Sequence, residues 1–155
     1  MRVLILTFIF FHGIFLGQNI CEKDFLYENL IYKNNNIDLK ENYNSSTGEY
    51  SFVYCGTEGV QRNINFNVKL TNEEKEKFKK SYLDLNINNK VLCTEVRADK
   101  LFAITSISYN FNKKQECAKN DKEKADVLFV KSLFLEIIRE KKEYKEALYW
   151  KFIKR

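Results

Sequence analysis

The chain predicts an α+β domain: a small antiparallel sheet covered by two helices and stapled by two disulfides. Three observations lead there. Residues 48–70 hold two strand-like runs around a Gly56-Thr57-Glu58-Gly59 turn, two later segments open with helix caps, and four cysteines follow an apolar leader. The second run is the clearest. Ile64, Phe66, Val68 and Leu70 alternate with Asn63, Asn65, Asn67 and Lys69, the pattern of a strand with one buried and one wet face.

The first seventeen residues read as a secretory signal peptide. A basic start at Arg2 precedes a nearly unbroken apolar run, and Gly17 and Gln18 end it. The run falls short of the roughly 20 apolar residues that span a bilayer. Cleavage after Gly17 leaves residues 18–155 as a single secreted domain, with an uncleaved anchor as the alternative. Secretion to the outside is expected, with the secretory-pathway lumen as the other compartment.

An aromatic content of 15% supplies large apolar surfaces and excludes a disordered tail. The absence of proline and the abundance of Asn, Lys and Ile look like a codon bias. The net charge of +5 is mild and forms no basic stripe, so nucleic acid is not an expected partner. Weak attraction to acidic glycans or a membrane surface is compatible with it.

Residues 25–32 could form a short helix or a strand, and residues 33–46 read as a polar loop. Asn44-Ser45-Ser46 in that loop is an N-glycosylation sequon. Thr71 with Glu74 three residues later is a capping box, predicting a helix over residues 72–85 with Phe78, Tyr82 and Leu85 on one face. Residues 91–96 and 101–111 read as strands, the second with Ala103, Thr105, Ile107, Tyr109 and Phe111 on one face. Asn120 then caps a helix over residues 121–149. Its stripe of Val127, Val130, Phe134, Ile137, Tyr144 and Leu148 is interrupted by Lys141. Residues 127–138 are β-tolerant enough to leave a strand open there.

Cys21, Cys55, Cys93 and Cys117 all lie beyond the leader, and an even count in a small secreted domain reads as two disulfides. Of three pairings, Cys21–Cys55 with Cys93–Cys117 ties neighbouring elements. The sole histidine, His12, is in the leader. Imidazole bases, Ser-His and Cys-His pairs and His-ligated metal sites are therefore excluded from the mature chain. No cofactor or metal is expected.

Residues 50–56 (Tyr-Ser-Phe-Val-Tyr-Cys-Gly) resemble the strand leading to the second cysteine of mannose-6-phosphate-receptor-homology lectin domains. Residues 92–96, 107–117 and 127–130 resemble later strands of that family. The resemblance implies a lectin-like fold with an altered sugar site, since Thr94 stands where the family has glutamine and its sugar-binding arginine has no match.

By elimination the chain is expected to be a binding protein, not an enzyme: an extracellular ligand, effector or inhibitor acting on a protein partner. The alternative is a carbohydrate- or lipid-binding module with Tyr50, Tyr54, Tyr109, Tyr149 and Trp150 as stacking groups. A hydrolase built on paired carboxylates is a second alternative.

Overall fold

A computed structural model describes residues 24–34, 36–56, 59–85, 87, 90–96, 100–109 and 115–148. The leader, Cys21, Tyr149 and Trp150 lie outside the described residues. Strands β1 (Leu26–Lys33), β2 (Asn36–Asn44), β3 (Glu49–Cys55) and β4 (Gln61–Asn67) form an antiparallel meander. Helix α1 (Asn72–Asp84) follows, then the hairpin β5 (Lys90–Val96) and β6 (Leu101–Ser108), the short β7 (Glu116–Cys117), and helices α2 (Asp121–Arg139) and α3 (Lys142–Ala147). β6 pairs with β1 in the sheet centre, giving the order β4-β3-β2-β1-β6-β5-β7.

The expected fold class therefore needs correction. Among the described residues the sheet has seven strands, not a few, and it is mixed, because β7 runs parallel to β5 through Lys90↔Glu116 and Val91↔Cys117. Three helices among the described residues cover it, rather than two. α2 ends at Arg139, and Lys141 adopts an extended backbone (φ −68°, ψ 136°) that starts α3 on a new axis. Neither Gly nor Pro causes the break. Lys141 reaches Glu74 of α1 at 2.7 Å, and the new direction lets Tyr144 turn its ring edge onto Tyr50 at 5.4 Å.

Among the described residues one disulfide is present, where two are expected for the chain. Cys93–Cys117 ties β5 to β7 and closes a loop of sequence separation 24, a constraint that contributes about 3 kcal/mol. Cys55 at the end of β3 is an exposed free thiol. Spacing alone could not tell a bridged cysteine from a solvent-facing one.

The third correction is β2, which occupies most of the expected polar loop. Leu39, Glu41 and Tyr43 alternate toward the core, but the middle slot holds a carboxylate and masks the period. A bulge inserts Asp38, since Ile31 pairs with Leu39 while Tyr32 pairs with Ile37. Ile37 is thereby turned to the opposite face.

All three helices pack on one face of the sheet. The core joins Tyr27, Tyr43, Tyr50, Phe52 and Ile107 of the sheet to Phe78 and Tyr82 of α1 and to Val127, Val130, Phe134 and Ile138 of α2. Phe134 lies 4.5 Å from Tyr27 and 5.3 Å from Tyr43, centroid to centroid. Both helix starts behave as the sequence predicts. Thr71 and Glu74 exchange side-chain and backbone hydrogen bonds, and Asn120 accepts from the Glu123 N–H at 2.8 Å. Gly48 closes the β2–β3 turn at φ +79°, where a Cβ would stand 2.9 Å from the Asn67 carboxamide oxygen.

Candidate binding surface

The face of the sheet away from the helices divides in two along its strands. Register places Asn65, Ser51, Asn42, Glu28 and Ser106 in one cross-strand row. That row obeys the rule that a sheet covered on one side turns polar groups outward. Further along the same strands the rule fails. Ile37, Tyr32 and Phe102 lie side by side across β2, β1 and β6, and Leu30 and Ile104 form the row behind. Ile37 is 45% exposed and Phe102 37%, and the Tyr32 and Phe102 rings lie 6.3 Å apart.

The hairpins β1–β2, β3–β4 and β5–β6 all turn at this apolar end. The Asn34 N–H donates to the Lys100 carbonyl at 3.2 Å and holds two of them together. Exposed Val60, exposed Lys33 and the free thiol of Cys55 share the same rim.

The polar half is concave. Two shallow depressions of about 600 and 620 Å³ meet at Leu26 and Asn42. The first is lined by Asn42, Asn44, Asn65 and Asn67, the second by Glu28, Ser106 and Gln115. Asn44, the sequon residue, sits at the rim of the first. Its Oδ1 accepts from the Ser46 N–H at 2.9 Å and the Ser46 hydroxyl at 2.8 Å in the exposed β2–β3 turn.

On the inner face of the same three strands is a buried polar network. Glu41, 8% exposed, accepts from the Tyr27 hydroxyl and the Asn29 amide, each at 3.2 Å. The Asn29 Oδ1 accepts from the Thr105 hydroxyl at 2.8 Å and from the Lys131 ammonium of α2 at 3.3 Å, and Lys131 also donates to Thr105 at 3.1 Å. Asn29 thus bridges a cation to a carboxylate through its two ends. Burial pushes the Lys131 ammonium down from its ordinary value, the Glu41 charge partly offsets this, and Arg139 adds to the depression. Burial likewise pushes the Tyr27 hydroxyl up, and the neighbouring Glu41 charge pushes it further. A carboxylate held by a phenol and an amide, with an ammonium tied to it through that amide, makes a structural lock. No cluster of three or more His, Cys, Asp or Glu with metal-binding geometry occurs among the described residues.

Of the expected stacking groups, Tyr50, Tyr54 and Tyr109 are described, and each packs within the fold. Tyr50 is 1% exposed, its ring stacked on Phe66 at 4.9 Å and capped by Tyr144. Tyr54 packs against Phe52 at 5.4 Å, and Tyr109 against Tyr82 at 4.8 Å with its hydroxyl buried. Tyr32 and Phe102 hold the more open position instead, and the sequence reading missed both. The signal was present. Leu30-Ile31-Tyr32 and Leu101-Phe102-Ala103-Ile104 are apolar at both parities, where a strand with one wet face should alternate.

No helix among the described residues is long and apolar enough to cross a membrane. No protein-family model matches the sequence, and no curated protein matches it either, so the lectin likeness gains no support.

Proposed function

We propose that this chain is a secreted binding protein that seats a protein partner on the apolar half of its outer sheet face. The observation that carries the reading is the row of exposed Ile37, half-buried Tyr32 and exposed Phe102, backed by Leu30 and Ile104. Contiguous exposed apolar area on a sheet face is costly in water and marks interaction sites. Aromatic side chains at the centre of such a patch are the usual anchors of an interface. In this reading residues 1–17 direct export, and an Asn44 glycan stands at the opposite, polar half without obstructing the partner.

The test is site-specific photo-crosslinking of the secreted chain to cell-surface and secreted proteins. A crosslinker at Phe102 is expected to capture a defined protein that one at Asn65 does not. The purified partner should then bind the wild-type chain and lose at least ~100-fold affinity for F102D. Equal capture from both positions, or full binding by F102D, would sink the reading. A glycan-binding reading rests on the carboxamides around the polar depression. Glycan binding that is lost on Asn65→Ala and retained by F102D would favour it instead.

A further inference from the structure

The outward side of α2 carries a pattern that goes beyond this reading and lies on the other side of the molecule. Val127, Val130, Phe134 and Ile138 bury one face of the helix. On the opposite face Ala125, Leu128, Phe129, Ser132 and Glu136 are exposed, with Leu128 at 45% and Phe129 at 57%. Two large apolar side chains side by side on the outward face of an otherwise amphipathic helix mark a contact surface.

The charges on this face indicate what covers it. At 3.6 residues per turn, Lys122, Phe129 and Glu136 recur every seventh position and line one flank of the exposed stripe. Their charge reverses in sign about Phe129. Asp121 and Arg139 line the other flank, again opposite in sign and nearly equidistant from the same centre. Between the flanks lie the small residues Ala125 and Ser132, which permit close helix approach.

In an antiparallel pair related by a twofold axis, each flank meets its own flank in the second copy. Phe129 then meets Phe129, Lys122 meets Glu136 of the second copy, and Asp121 meets Arg139 of the second copy. A parallel pair would instead set each flank against the opposite flank of the second copy, without the Lys122–Glu136 match. The Lys122 side chain holds Asp126 at 2.6 Å yet is 80% exposed, leaving its ammonium able to take a second acceptor.

We propose that α2 is a self-association face: two copies of this chain pair through antiparallel α2 helices centred on Phe129. Sedimentation equilibrium on the secreted chain over a wide concentration range tests it, with a non-reducing gel to discount species linked through Cys55. A reversible two-copy mass is expected, and F129D should weaken it by at least ~100-fold. K122E and E136K should each weaken it about five- to tenfold, and K122E/E136K together should restore it to within about threefold, because the swapped pair is again complementary. A chain that stays monomeric at every concentration, an unaltered F129D dimer, or a double variant as weak as its parents would overturn the proposal. F102D should leave this association unchanged, so its outcome is separate from that of the outer-face partner.

Discussion

Strands β2, β1 and β6 depart from the ordinary sheet pattern twice, in opposite senses. On their inner face, where apolar side chains belong, stand Glu41, Asn29 and Thr105. On their outer face, where polar ones belong, stand Ile37, Tyr32 and Phe102. The inner departure is compensated, because Tyr27, Asn29, Thr105 and Lys131 supply hydrogen bonds within the fold. The outer one shows, among the described residues, Tyr32–Phe102 ring contact and half-exposed neighbours. A compensated anomaly belongs to stability, while an uncompensated one points outward, to something that covers it.

The sharpest way to break this comparison is mutation on each face. Glu41→Ala leaves the Tyr27 hydroxyl and the Asn29 amide without their acceptor and the buried Lys131 ammonium without its counter-charge, and should cost about 3–5 kcal/mol. I37S and F102S should each cost about 1 kcal/mol or less, since exposed side chains contribute little to the folded state. E41L/K131M, which removes both charges, should recover to within about 1 kcal/mol of the wild type. Urea denaturation midpoints measure all four. If the double variant is as unstable as E41A, the lysine is not the cause of the penalty and the lock is misassigned.

A smaller effect sharpens the contrast from the inner side alone. Burial pushes the hydroxyls of Tyr27, Tyr43, Tyr50, Tyr109 and Tyr144 above the ordinary phenol value. Their folded-state pKa exceeds the unfolded value of about 10, so the stability they add is fully present below that pH and is lost as pH rises through it. Absorbance near 295 nm should show these phenols ionising together with the loss of far-UV dichroism. Full ionisation in a chain that keeps its dichroism would mean the inner face is wet.

How far the sequence carried depends on whether each residue obeyed its local pattern. Ile64 and Phe66 alternate cleanly, and β4 forms as expected, though it ends at Asn67 while Val68 and Leu70 continue into the core. Thr71 with Glu74 and Asn120 with Glu123 are purely local devices, and both caps form where they were read. The Cys93–Cys117 bridge forms as favoured. β2 is hidden in the sequence because its inward slot is the carboxylate of Glu41, which is held by Tyr27 and Asn29 on β1, more than ten positions away. The α2–α3 break was hinted at by Lys141 in an apolar stripe, but its cause is Glu74, sixty-seven positions away. The Tyr32–Phe102 pair is legible only as the broken alternation of Leu30-Ile31-Tyr32, which marks a strand apolar on both faces without saying what covers the second.

The smallest effect concerns a second carboxylate–lysine pair, placed at the edge of the core. Glu74 and Lys141 lie 2.7 Å apart with side chains 30% and 20% exposed. Burial alone would raise the Glu74 carboxyl, but the Lys141 ammonium and the Thr71 N–H outweigh it and hold the group below the usual carboxylate range. Its folded pKa is depressed, so its stabilisation is present above the unfolded value of about 4.3 and is lost as pH falls through the folded pKa. E74Q keeps much of the helix cap while removing the charge, and should cost about 1 kcal/mol at neutral pH and nothing below pH ~2. Denaturation midpoints between pH 2 and 7 would converge for E74Q and the wild type at the acid end. If they stay parallel across the range, the lysine contact is not what depresses Glu74. If E74Q proves as costly as E41A, burial is not what separates the two pairs, and the contrast between a buried lock and a solvent-shared tie would have to be abandoned.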